Sequence, residues 1–178
     1  MTKTSNDRSA DETRRCEAGA MVEHDHAACV RRVAAEAEAR ATKAGLRMTP
    51  VRRRALEILL ESPTALGAYD LLKRLDAEGF GAQPPVAYRA LDFLVANGFA
   101  HRIERLNAFV ACMSPAEGHD PVFMICRKCR AVAETVASPA AAALDEGAEA
   151  IGFEIETRMV EAEGLCPKCR PVEGEAAR

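Results

Sequence analysis

A chain of 178 residues can bury one good core or two small ones, and no run of it approaches the apolar length of a membrane span. Met1 to Arg15 alternates acids and bases without the apolar stretch of a secretory leader, so the expectation is a cytoplasmic protein, not a membrane one, with reduced cysteines. The net charge of −3 hides an asymmetry: residues 26–112 carry 13 Lys/Arg against 9 Asp/Glu, whereas residues 113–178 carry 7 against 12, which makes the first half the candidate nucleic-acid surface.

Residues 1–25 mix charged and small residues without apolar period and read as a flexible extension. From His26 to Ala44 a run of alanines and alternating charges predicts a first helix, closed by Gly45. Thr49-Pro50 supplies an N-cap and a first-turn proline, and Val51, Ala55, Ile58 and Leu59 then recur on one face of a second helix that Ser62-Pro63 breaks. Ala68 to Ala77 is a third helix, with Leu71, Leu72 and Leu75 inward and Gly79 behind it. The fourth, Pro85 to Ala96, places Val86, Ala87, Ala90, Leu91, Phe93 and Leu94 on one side and Tyr88, Arg89 and Asp92 on the other. Strand-like runs at Ala100–Arg105 and Phe109–Cys112, joined through Asn107, complete a helices-then-hairpin order. That order predicts a winged helix-turn-helix over residues 26–112, its last helix offered to the major groove of double-stranded DNA.

Beyond Cys112 the pattern changes. A hinge over 113–120 leads to strands at Val122–Ile125 and Ala131–Val136, a helix from Ser138-Pro139 to Ile151, a strand over Phe153–Ala162 and a frayed tail over 171–178. The fold class is therefore α+β, an N-terminal winged helix followed by a small α/β domain over 121–170. That second unit is too small for a self-sufficient core, so a metal, a partner subunit or both should stabilise it.

Cys126-Arg-Lys-Cys129 and Cys166-Pro-Lys-Cys169 each put two sulfurs at a tight turn, and the 36 residues between the pairs allow the ends to return to one another. Four thiolates suit the closed tetrahedral shell of structural zinc, with a rubredoxin-like iron site as the alternative on the same ligands. A second, scattered set combines His101, Cys112, His119 and Glu134, a borderline-soft donor set that suits zinc at a hinge. Each member also has a plain reading: His101 as a surface strand residue, Cys112 as a small core hydrophobe, His119 as a loop histidine, Glu134 as a solvated charge. Cys16, His24, His26 and Cys29 offer further ligand types in the extension and read as solvated, incidental residues. No nucleophile–base pair suggests an enzyme.

Several stretches carry a resemblance in the right order: Leu46-Arg-Met-Thr-Pro-Val-Arg, Ala68-Tyr-Asp-Leu-Leu, Pro84-Pro-Val-Ala-Tyr-Arg-Ala-Leu-Asp-Phe-Leu, Phe123-Met-Ile-Cys-Arg-Lys-Cys and Glu161-Ala-Glu-Gly-Leu-Cys-Pro-Lys-Cys. Over about residues 26–170 the chain resembles the ferric uptake regulator superfamily and, within it, the zinc uptake regulators. The resemblance implies a homodimeric transcriptional repressor with two zinc ions per subunit. The structural ion would lie on Cys126, Cys129, Cys166 and Cys169, and the regulatory ion on His101, Cys112, His119 and Glu134. Iron- and peroxide-sensing relatives resemble one another in a His-rich run before the first Cys pair; here that stretch holds the single histidine His119. On the DNA side Tyr88 and Arg89 are candidates for base reading, and Arg47, Arg52, Arg53, Arg54, Arg102 and Arg105 for phosphate contact.

Overall fold

The computed structural model describes residues 21–23, 25–62, 64–81, 83–115, 121–136, 139–156 and 158–171. Helix α1 (His26–Lys43) starts where the Asp25 side chain accepts the amide of Ala28 at 2.9 Å. It buries Cys29, Val33, Ala37 and Ala41, one residue per turn of a single stripe. Cys29 departs from expectation: it is buried on this stripe and disulfide-bonded, neither solvated nor reduced. Cys16 and His24 lie outside the described residues.

Helix α2 (Pro50–Glu61) begins at the Thr49 cap with proline in its first turn, and α3 (Ala68–Ala77) and α4 (Pro84–Ala96) follow. Their inward leucines and alanines, among them Leu56, Leu71, Leu75, Ala87, Leu91 and Leu94, share one core with α1 and Phe99. Ionic contacts reinforce the packing from outside. Arg54 on α2 reaches Glu57 and Glu61 on its own helix and Glu78 beyond α3, while Arg74 reaches Glu61.

Strands β1 (Ala100–Ile103) and β2 (Ala108–Ala111) form an antiparallel hairpin in the register Ala100↔Ala111 to Ile103↔Ala108. The expected first strand over Ala100–Arg105 is shorter than anticipated, because Glu104–Leu106 winds into a 3₁₀ turn closed by Asn107 at φ 45°. Asparagine tolerates this left-handed conformation better than most residues. Helices α2 to α4 with this hairpin make a winged helix-turn-helix.

The α/β unit has a three-stranded sheet in the order β4-β3-β5, with β3 (Pro121–Cys126) central, β4 (Val132–Val136) antiparallel to it and β5 (Val160–Gly164) parallel. Strand β4 returns the chain to the end of the sheet where β3 began, and helix α5 (Pro139–Ile151) carries it from there to the opposite edge, where β5 starts. The last strand begins at Val160, not Phe153: the alternation of Phe153, Ile155 and Met159 mimics a strand, yet Phe153 and Met159 are exposed and this stretch pairs with no strand among the described residues. No helix among the described residues is long and apolar enough to cross a membrane.

Hairpin and sheet share a small core of their own. Ile103 packs with Phe123 and Ile125, flanked by Leu106, Val110 and Val132. A backbone bridge between Thr64 and Ala131 adds a second point of contact between the two units.

Candidate metal centres and nucleic-acid face

The parallel register of β3 with β5 sets Cys126 opposite Gly164, so both cysteine turns leave the sheet at the same end. Each is closed by backbone hydrogen bonds: Arg130 N–H to the Cys126 carbonyl at 2.8 Å, and Cys169 and Arg170 N–H to the Cys166 carbonyl at 2.9 and 3.0 Å. The four sulfurs of Cys126, Cys129, Cys166 and Cys169 lie within 4.8 Å of one another. Cys129 and Cys166 Sγ are 3.7 Å apart, too far for a disulfide and close to the roughly 3.8 Å edge of a tetrahedron with zinc–sulfur bonds of about 2.3 Å.

Electrostatics favour a cation here. Backbone N–H groups of Cys166 and Cys129 aimed at Cys126 lower its pKa to about 6, whereas burial and the neighbouring sulfurs push Cys169 up to about 12. One thiol ionises readily and another resists, so a fully ionised set needs a positive charge at its centre. The donor set fits zinc.

The second constellation is assembled across the two units. His101 stands on β1 and Cys112 just past β2; because His101 pairs with Val110, the two fall on the same face of the hairpin as a diagonal pair. Glu134 comes from β4, only 5% exposed. Its Oε1 is 3.5 Å from His101 Nε2 and 3.8 Å from Cys112 Sγ, while Oε2 accepts the backbone N–H of Met113 at 3.0 Å. Burial, followed by the charge of Glu134, pushes the Cys112 thiol well above its ordinary range. The ligand atoms of His101, Cys112 and Glu134 lie within 4.8 Å of one another, and this imidazole–thiol–carboxylate set fits a zinc ion with one further position to fill. His119 lies outside the described residues. His26, partly buried at the start of α1, is not among these clustered ligands.

On α4, Tyr88, Arg89 and Asp92 are exposed opposite the buried stripe. Tyr88 and Asp92 share a groove of about 480 Å³ with Tyr69, Arg102 and Asn107, between α3, α4 and the wing. Tyr69, 66% exposed in the first turn of α3, had no role in the sequence reading; a large aromatic on the outward side of a helix was the signal. Arg47 is exposed. Arg52, by contrast, stacks on Phe93 with its guanidinium carbon 3.7 Å from the ring centroid and donates to the Arg47 carbonyl at 2.7 Å. It braces α2 against α4. Arg53 is paired with Glu38, Arg54 with three carboxylates and Arg105 with Glu163, so these cations are already engaged within the chain.

Residues 43–163 match the model of the ferric uptake regulator family. The zinc uptake regulation protein of Escherichia coli is 37% identical over 145 residues, 81% of this chain and 84% of that one. Among solved structures, a zinc uptake regulator complexed with zinc and DNA is 34% identical, covers 78% of this chain and 93% of its own, and superposes with a TM-score of 0.74. Holo XcZur is 38% identical, with 75% and 94% covered and a TM-score of 0.69. The family match over more than half of the chain, with relatives 34–38% identical over three quarters or more of it, shows that this chain belongs to the ferric uptake regulator family.

Proposed function

We propose that this chain is a zinc-responsive transcriptional repressor that binds operator DNA as a homodimer when its hinge site is loaded and controls genes of zinc uptake and homeostasis. One observation carries the reading: His101, Cys112 and Glu134 come from the wing, the segment after it and the distal sheet, and converge at the junction of the two units. Any ion held there bridges the reading head and the distal domain. The similar structure of a zinc uptake regulator complexed with zinc and DNA supports the choice of ion and partner.

The domains are taken as 26–112 for DNA binding and 121–170 for dimerisation, joined by a hinge over 113–120. Each subunit is assigned two zinc ions. Cys126, Cys129, Cys166 and Cys169 hold the structural ion, and His101, Cys112, Glu134 and His119 the regulatory one. The regulatory ion supplies a divalent charge that favours the Cys112 thiolate beside the Glu134 carboxylate. Met113 N–H keeps the Glu134 carboxylate oriented, and the arginines of α1 hold the backbone that carries Cys112: Arg32 donates to the Met113 carbonyl at 3.3 Å and Arg40 to that of Pro115 at 2.9 Å. Tyr88 and Arg89 then face the major groove, with Arg47 at the phosphates. A homodimer is supported by apolar surface that one copy leaves uncovered: Leu144, Ile151, Phe153 and Met159, with Met124 on the sheet. The protein acts as a regulator, not a catalyst, and works in the cytoplasm.

A mobility shift on zinc-uptake promoter DNA, run with zinc, with iron and with chelator, tests the reading. Retardation should require zinc. Binding that survives removal of exchangeable metal, or that iron supports equally, overturns it.

A further inference from the structure

A second set of contacts joins wing to sheet and contains none of the metal ligands. The 3₁₀ turn at the tip of the wing opens with the N–H groups of Glu104 and Arg105, and both donate to one carboxylate, Glu161 on β5, at 2.7 and 3.1 Å. Such leading N–H groups have no partner within their own turn, and a carboxylate spanning two of them makes charge-assisted bonds. Two residues further along β5, Glu163 pairs with Arg105 at 2.6 Å. That pair is exposed and contributes little energy alone; its effect is geometric.

The sheet register gives these contacts their meaning. Phe123 on β3 is paired with Glu134 on one side and with Glu161 on the other, so the three residues form one row across the sheet. Neighbouring strands are about 4.8 Å apart, which puts the metal-site carboxylate and the wing-tip carboxylate on one rigid bar roughly 10 Å long. The wing lies along this bar. The His101 ring lies 5.2 Å from the Phe123 ring at the middle, His101 approaches Glu134 at one end, and the wing tip is capped by Glu161 at the other.

We propose that Glu161, assisted by the Arg105–Glu163 pair, is a positioning residue that presets the wing on the sheet, so that His101 and Glu134 already face each other before the regulatory ion arrives. The ion then meets an assembled site, and little of its binding energy is diverted into closing the hinge. This rests on His101, Cys112 and Glu134 being the regulatory ligands. Glu161→Ala should weaken zinc at the regulatory site by about ten- to a hundredfold, the range for residues that orient ligands without touching the ion, with the structural zinc retained.

The test uses the full chain holding its structural zinc, with regulatory zinc competed by a chromophoric chelator and with hydrogen exchange followed at the Glu104 and Arg105 amides before regulatory zinc is added. In wild type these amides should be protected. Glu161→Ala should release them and lower zinc affinity together, with Glu161→Gln, which keeps one neutral acceptor, between the two. Arg105→Glu should weaken zinc a few-fold and Arg105→Glu/Glu163→Arg restore it, which decides the matter should Glu161→Ala fail to fold. Unchanged zinc affinity in Glu161→Ala beside an impaired His101→Ala overturns the preset wing alone; a His101→Ala variant that binds zinc normally overturns the ligand assignment as well.

Discussion

Cys112 combines full burial with a carboxylate neighbour, and both oppose ionisation. Without a cation the thiol keeps its proton; with one, thiolate and carboxylate share a positive partner. Cys112→Ser keeps the shape and removes the soft donor, so zinc-dependent DNA retardation should vanish while the structural zinc content by metal analysis stays unchanged. Arg89→Ala should cost about 1–3 kcal/mol of operator binding in titrations and relax discrimination at the base it reads, whereas Arg47→Ala should lower the slope of log affinity against log salt by about one. At this scale the four-sulfur site was plain from the sequence because each cysteine has its first neighbour three positions away. His101, Cys112 and Glu134 were harder, since strand pairing joins them and each has an ordinary explanation alone. Arg52 was legible only in part: its charge on a helix face shows in the sequence, whereas the Phe93 ring beneath it is set by packing.

Helices were legible because their caps and apolar stripes are local. Strand limits were not. Where β5 starts depends on where β3 offers a partner, and the wing turn depends on a carboxylate 57 residues away. The cysteine turns hold a small unit together, so Cys126→Ser should unfold or monomerise it, seen as loss of the α/β unit's protected amides with the helical core of α1 to α4 intact, because metal-binding energy there is folding energy. The Arg54 network shows what acid should do to the helical unit. Hydrogen bonds from Arg54 lower the pKa of Glu61 and Glu78 below 4.5, so these carboxylates bind protons more readily in the unfolded chain. Their stabilisation is complete above that value and is lost as pH falls through the lower folded values. Arg54→Met should therefore flatten the acid limb of a stability–pH curve and leave the shape near neutrality unchanged.

One copy of the chain leaves apolar surface uncovered: Leu144 and Ile151 on α5 and Phe153 just after it are exposed, and β5 pairs on one side only among the described residues. Ile151→Asp with Phe153→Asp should give a monomer by sedimentation that binds zinc and has lost most of its operator affinity. Zinc and operator, acting on one hinge, must also strengthen each other by equal factors, so zinc titrations with and without DNA should differ by the ratio that DNA titrations with and without zinc display. The parallel register of β3 and β5 carries a consequence for biogenesis. Slipping that pairing by one residue turns Glu161 and Glu163 to the opposite face and parts Cys126 from Cys166. Only the correctly aligned sheet brings the four sulfurs within 4.8 Å of one another, so a zinc ion captured there would reward correct alignment alone, and a chain with slipped strands should fail to hold it.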